Sequence, residues 1–291
     1  MELVFLLEQV VNGLVLGGYY LLVALGLALV FSVGGVVNLA HGAFYAIGAY
    51  LAYTIAERAG FATGVLLSPV LVALLGVLFE RTILRRFYDA DPIQGLLVTF
   101  GLAMIVEQLL RRIWGAAPIP VAMPQALKGA VLLGDFLFSR YRLLLLAIVA
   151  LVLAAVWLLL NRTAFGRVVR AGIDRPDMVA ALGIRLAPYR LAVVALGVGL
   201  AALAGALFAP IAVVHPAMGE EILTTAFVVV VIGGLGSFWG VVLAALLVGV
   251  TRGVTIHFVP AAGEAAMYVL MFLVLLLRPR GLSGERIGRF E

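Results

Sequence analysis

NRTAFGRVVRAGIDRPDMVAALGIRLAPYR, residues 161–190, carries six arginines (162, 167, 170, 175, 185 and 190) and two aspartates (174 and 177). Apolar runs that suit only lipid flank it on both sides, so it is a polar island between membrane spans. Arginine is costly to translocate, which places such an island on the cytoplasmic side and orients the rest of the chain. The island also has local order. Asp174 is expected to cap a short helix, with Pro176 in its first turn and Asp177 favouring its positive end. That helix runs through Val179 to about Leu182, and Gly183 supplies a left-handed stop. Met178, Ala181 and Leu182 share one face by their three/four spacing. Two partners suit a small apolar face with a basic surround: another protein, or anionic lipid of the inner leaflet.

The 291 residues are 65% hydrophobic and 12% charged, with a mean hydropathy of +1.20. Soluble domains carry about 25% charged residues. The composition predicts an all-α, polytopic transmembrane bundle in one domain, 1–291, with about eight to ten spans. Cysteine is absent, so disulfides and thiolate metal sites are excluded. The net charge of +5 comes from arginines in loops between spans, which argues against a nucleic-acid partner. The N-terminus holds Glu2 and Glu8 and no basic n-region, so no cleaved signal is expected and an outside location suits it.

Taken in order, residues 3–31 span once, Gly34-Gly35 break the run, and 38–56 resume as a helix capped by Asn38. Residues 61–79 and 93–110 follow, with Glu107 and Arg111 paired at i,i+4. The segment 113–140 is proline-bearing and reads as the longest loop. After 143–160 and the island, 188–214 carries Gly197, Ala201, Gly205 and Ala209 at successive fours, a stripe that lets a neighbour approach closely. Residues 222–257 are interrupted at 233–240 and split into two spans, or one span and a re-entrant piece. A short span at 264–277 and an arginine-rich tail end the chain. An outside N-terminus and nine crossings put 80–91, 161–190 and the tail inside.

Two glycine-interrupted segments, VGGVVNLAHGAF at 33–44 and VIGGLGSFWGVV at 231–242, read as a possible internal repeat. Paired breaks of this kind point to a transporter's path. Asn38 and His41 lie one turn apart at the first break. They suit either a substrate path or an interhelical hydrogen bond that locks the broken helix. The run Gly233-Gly234-Leu235-Gly236-Ser237 lacks the spacing and the preceding strand of a phosphate loop, and reads as a helix break, a gate or a pore lining. There is no GxxxxGK[ST]; the lone lysine is Lys128. No span centre holds an acid, which argues against proton or sodium coupling. No HExxH or other catalytic pair occurs, so catalytic and metal-ligating residues are read as none. Arg252 is the odd charge inside an apolar segment, free to pair with Glu264 or to snorkel outward.

Several of these runs resemble the branched-chain amino acid permeases of ABC importers, the LivH/LivM type. They are Arg162-Thr163, Gly166-Arg167, Arg170-Ala171, Asp174, Ala180 and Leu182-Gly183-Ile184, together with NLAHG and GAY, GGLGS, and the terminal LLRPRGL. An acidic residue is common there near position 252, so Arg252 is a departure. The resemblance implies an inner-membrane permease subunit, multi-pass, with its N-terminus outside and C-terminus cytoplasmic. It implies a second permease chain or copy, two cytoplasmic ATPase subunits that hydrolyse the ATP, an external substrate-binding protein, and no cofactor in this chain. By the same resemblance, Arg162, Gly166, Arg167, Arg170, Ala171, Asp174, Ala180 and Gly183 couple to the ATPase. Asn38, His41, Gly42, Gly233, Gly234, Gly236 and Ser237 are expected to belong to the substrate pathway. Other readings stay open: a same-family permease for urea, short amides or other amino acids, a stand-alone channel or secondary carrier, and a membrane-embedded enzyme.

Overall fold

The computed structural model describes residues 2–88, 90–133, 136–234 and 236–283, of which 2–7, 132, 133, 136 and 137 by backbone alone. The tail arginines 286 and 289 therefore lie outside the described residues.

The first helix, α1 (Glu2–Gly34), sits at the centre. It is 33 residues long, about 50 Å at the usual rise, and so exceeds the ~30 Å hydrocarbon core. Against it pack α2 (His41–Ala59), α5 (Arg140–Arg162), α8 (Ala187–Phe208), α9 (Met218–Gly233) and α10 (Phe238–Phe258), while α3 (Phe61–Thr82), α4 (Pro92–Trp114) and α11 (Gly263–Leu277) lie outside these, on α2, α8, α9 and α10. Two short helices, α6 (Ala164–Asp174) and α7 (Pro176–Ala181), fill the island. Among the described residues, seven helices are long and apolar enough to cross a membrane. The other two of the bundle, α2 with 19 residues and α9 with 16, are packed inside it. The chain is thus an all-α, multi-pass membrane bundle. Residues 222–257 resolve into two helices joined by a turn.

Small residues decide the packing. In α8, a Cβ on Gly197 would lie 2.6 Å from Gly26 O, and one on Gly205 would overlap Tyr45 O. The stripe at 197, 201, 205 and 209 therefore seats α8 against both α1 and α2. Backbone contact of this kind is the usual source of helix association in lipid, where burial of apolar surface gives no gain. At α1–α10, a Cβ on Gly13 would lie 2.6 Å from Val250 Cα. By contrast α3, α4, α5 and α11 turn most of their surface outward, with Leu66, Ile93, Leu151 and Leu276 all exposed. These faces suit lipid or a partner helix.

The long loop is more structured than its composition suggests. It holds a hairpin, β1 (Ala130–Leu133) and β2 (Phe136–Ser139), and Ile119 pairs with Val214. Glu107 and Arg111 pair at 2.6 Å as expected.

The first break is unusual. Residues 35–40 leave the helical path, and Nε2 of His41 stands 3.0 Å from Val23 O. Val23 is eleven residues above Gly34, or about 16 Å. The chain thus climbs back along α1 before α2 begins at depth. Its backbone polar groups need partners there. Thr99 of α4, itself buried, provides one by accepting from Leu39 N at 3.1 Å. Asn38 bonds Ala40 N at 3.1 Å, and α2 starts at His41 with Ala40 as its N-cap and no side-chain cap. The sequence expectation that Asn38 caps a helix from 38 is corrected: Asn38 closes a turn within the break. Thr99→Val, nearly isosteric, leaves Leu39 N–H unpaired at a cost of about 1–3 kcal/mol. A lower melting temperature in detergent, with an unchanged elution profile, is the expected readout.

Candidate functional site

Three regions bear on function: the island, the two breaks, and a polar cleft at the opposite end.

In the island, α6 is a helix that the sequence reading did not separate. Thr163 caps it, accepting from Gly166 N at 3.2 Å, and Thr163 ahead of AFGRVVRAGI was the available signal. Asp174 is the last residue of α6, and Arg175 occupies the N-cap of α7 without a side-chain bond. The expected Asp174 cap is therefore corrected. The chain turns one residue later because Pro176 sits at the start of α7, and a residue before proline is pushed out of the helical region. Gly183 does supply the left-handed stop, at φ 76°. Gly183 N bonds Ala180 O at 2.9 Å and Ile184 N bonds Val179 O at 3.2 Å, the paired bonds of a Schellman closure.

Val179 is buried, whereas Met178 and Leu182 are 59% and 77% exposed. The apolar face thus points away from the bundle. Arg162, Arg167, Ala171 and Ala180 are exposed around it, with Arg162 over the Trp157 ring at 5.9 Å. Gly166 is buried because a Cβ there would overlap Leu160 O. Arg170 donates to Leu160 O and, at 3.2 Å, to Asn161 Oδ1. It ties the α5–α6 corner as well as presenting charge. Arg170→Glu is therefore expected to loosen that corner by about 1 kcal/mol, discounted for solvent access. Thermal melts of the purified subunit check this.

The two breaks lie at the island's end of the bundle. Gly34 packs against the Tyr88 ring, a Cβ at Gly236 would lie 4.0 Å from Ser32 Oγ, and Arg190 sits over Tyr88 at 5.4 Å. Both α1–α2 and α9–α10 run down and back from this end, so the hairpins share one sense. They differ in depth: α2 restarts well inside, α10 at the turn. Gly234 and Gly236 take φ 94° and 88°, and Ser237 caps α10 by accepting from Gly240 N at 3.1 Å. Gly233 abuts α10, where a Cβ would lie 2.7 Å from Gly240 C. The chain after α11 returns to this turn. Leu282 N bonds Ile232 O at 2.8 Å and Ser283 N bonds Gly233 O at 3.2 Å. The GGLGS and LRPRGL runs, 45 residues apart, thus form one joint (236 to 281). Asn38 and His41 are fully buried, and Gly42 and Gly219 pack back to back. All of these residues hold joints, and none of them lines the cleft described next.

That cleft, of about 250 Å³, lies between α1, α2, α9, α10 and α11. Tyr19 and Tyr45 join hydroxyls at 2.6 Å across it. Arg252 donates to Tyr20 Oη at 2.5 Å and stands 3.7 Å from Glu264 Oε1. His215 and Glu221 are 3.6 Å apart at its rim. Arg252 does pair with Glu264, and it does not snorkel. Side chains tilt toward a helix's N-terminus, and here that direction leads down toward Tyr20. The sequence reading missed the phenols, because Tyr19, Tyr20 and Tyr45 are read as core until two helices, α1 and α2, bring them together.

Comparison with known proteins bears on the whole chain. The family model described as the branched-chain amino acid transport system / permease component matches residues 9–278. The high-affinity branched-chain amino acid transport system permease protein BraD of Pseudomonas aeruginosa is 28% identical over 98% of this chain and 97% of its own. The LivH protein of Escherichia coli K12, of the same description, is 25% identical over 98% and 97%. The LivM protein of that organism is 30% identical over 90% of this chain and 67% of its own. With nearly its whole length matched, the chain belongs to the family of permease components of branched-chain amino acid transport systems.

Proposed function

We propose that this chain is a permease subunit of an ATP-driven importer that carries branched-chain amino acids across a bacterial inner membrane. The match of the family across the entire bundle is the observation that carries this reading. It pairs with a homologous permease or a second copy of itself. Two ATPase subunits dock on the cytoplasmic side, and an external binding protein delivers substrate.

Charge supports the orientation. The island, the turn at 84–87 with Arg85 and Arg86, and Arg278 and Arg280 share one end, which positive-inside bias makes cytoplasmic. Geometry supports the docking: α7 and its C-cap present Met178 and Leu182 outward, rimmed by arginines. An apolar knob with a basic rim suits a protein groove with acidic edges. A push on α6–α7 is transmitted to the bundle through the α5–α6 corner, where Gly166 leaves no slack. It is also transmitted through Phe165, stacked on Tyr189 at 5.7 Å.

The test is uptake of labelled leucine, isoleucine and valine into vesicles holding the permease, its ATPase and its binding protein. ATP-dependent uptake of all three is expected. Uptake that persists without the ATPase supports a carrier instead, and uptake of urea or short amides alone moves the substrate class.

A further inference from the structure

We propose that the cleft at the end opposite the island is a transient binding site for a free amino acid. In this assignment Arg252 takes the α-carboxylate and Glu264 takes the α-ammonium. It rests on the importer reading above, and it assigns to this chain a contact with substrate separate from the external binding protein's.

The cleft has the right size and the right polarity. At about 250 Å³ it has room for a small solute. Its deep wall is aromatic, with Tyr20 and Tyr45 buried, and Met218, Ile222 and Ile256 offer apolar surface for an aliphatic side chain.

The charges are arranged for a ligand more than for each other. A guanidinium has five N–H donors in a fork. One goes to Tyr20 at 2.5 Å, which fixes the fork's orientation. The approach to Glu264, 3.7 Å, is longer than a hydrogen bond. Glu264 is 77% exposed, so that pair adds little stability. Yet Arg252 is only a quarter exposed and aims toward the bundle's interior. A charge in a spanning helix that turns toward the bundle's interior is a candidate ligand group. A carboxylate inserted beside Arg252 gains a charge-assisted, two-pronged contact. The ammonium of the same molecule then meets Glu264, already beside the guanidinium. Glu221, the other acid of the cleft, is faced by His215 at 3.6 Å, which leaves Arg252 and Glu264 as the opposed pair. An open, half-satisfied pair binds weakly, as a carrier requires.

The experiment uses the assembled permease–ATPase complex without the binding protein. Saturation-transfer NMR reads contact with leucine, 4-methylpentanoate (no ammonium) and 3-methylbutylamine (no carboxylate). Leucine is expected to give signal and the two analogues little. Arg252→Gln should weaken the leucine signal at least about tenfold, the loss of one charge-assisted contact. Glu264→Gln, at an exposed position that tolerates change, should weaken leucine to a similar degree and leave 4-methylpentanoate unchanged. It decides the matter if Arg252→Gln fails to assemble. Equal signals from all three compounds, or leucine signals in Glu264→Gln equal to wild type, overturn the assignment. Vesicle uptake separates the two claims. If wild type moves no amino acid, the importer reading fails. If wild type moves leucine and both variants match it, only the cleft assignment fails.

Discussion

Gly42→Val is expected to prevent stable assembly of the subunit. Gly42 opens α2 and meets Gly219 at the start of α9, backbone against backbone. A side chain at 42 overlaps Gly219 O, and one at 219 would lie 2.6 Å from Gly42 O. A flexible neighbour could yield, but two helix backbones cannot do so without shifting whole helices. The cost falls at the upper end for overpacking, about 3 kcal/mol. Both helices also abut the cleft, so its walls move with them. Fluorescence-detected elution in detergent should show aggregate in place of the monodisperse peak. Gly101→Ala is the control. Gly101 lies in α4 where a Cβ would meet nothing within 4 Å, so Ala should be neutral or gain about 0.5–1 kcal/mol from helix propensity. Similar melts for the two variants would refute the close-packing account.

The double change Met178→Glu with Leu182→Glu should abolish ATP-driven transport and leave the subunit's own stability unchanged. Both side chains, Met178 on α7 and Leu182 at its C-cap, are exposed and contribute little to the fold, so a surface change within ±0.5 kcal/mol is expected. At a docking surface, removing two central apolar anchors and adding charge weakens binding by roughly a hundredfold or more. Co-purification of the ATPase should fail while the permease melt stays put. Arg170→Glu differs, because it disturbs the α5–α6 corner and the surface together. Retained ATPase with the doubly acidic face would remove α7 from the docking role.

The clearest signals in the chain were one-dimensional. Long apolar runs, the arginine island, Gly183 as a helix stop and the i,i+4 pair at 107 and 111 are all set by neighbours within a few residues. Composition and spacing expose those directly. The stripe at 197–209 was legible as a close-packing face, though which helices it met was not. Local reading failed where local cues competed. Asn38 looks like a cap, but burial beside α1 and Thr99 turns it into part of a non-helical climb. Asp174 looks like a cap, but Pro176 moves the boundary to Arg175.

The sequence by itself determined that this is an all-helical membrane bundle, which end carries the basic island, and where helices must break. These follow from the cost of charge and of unpaired backbone in lipid. Only the tertiary structure decided what the breaks do, because their partners are distant in the chain. The tail at 281–283 closes the turn at 232–234, and Val23 holds His41. It alone assembled Tyr19, Tyr20, Tyr45, Arg252 and Glu264 into one cleft. Nothing in their spacing signals a site; convergence of four helices puts them within reach of one small molecule.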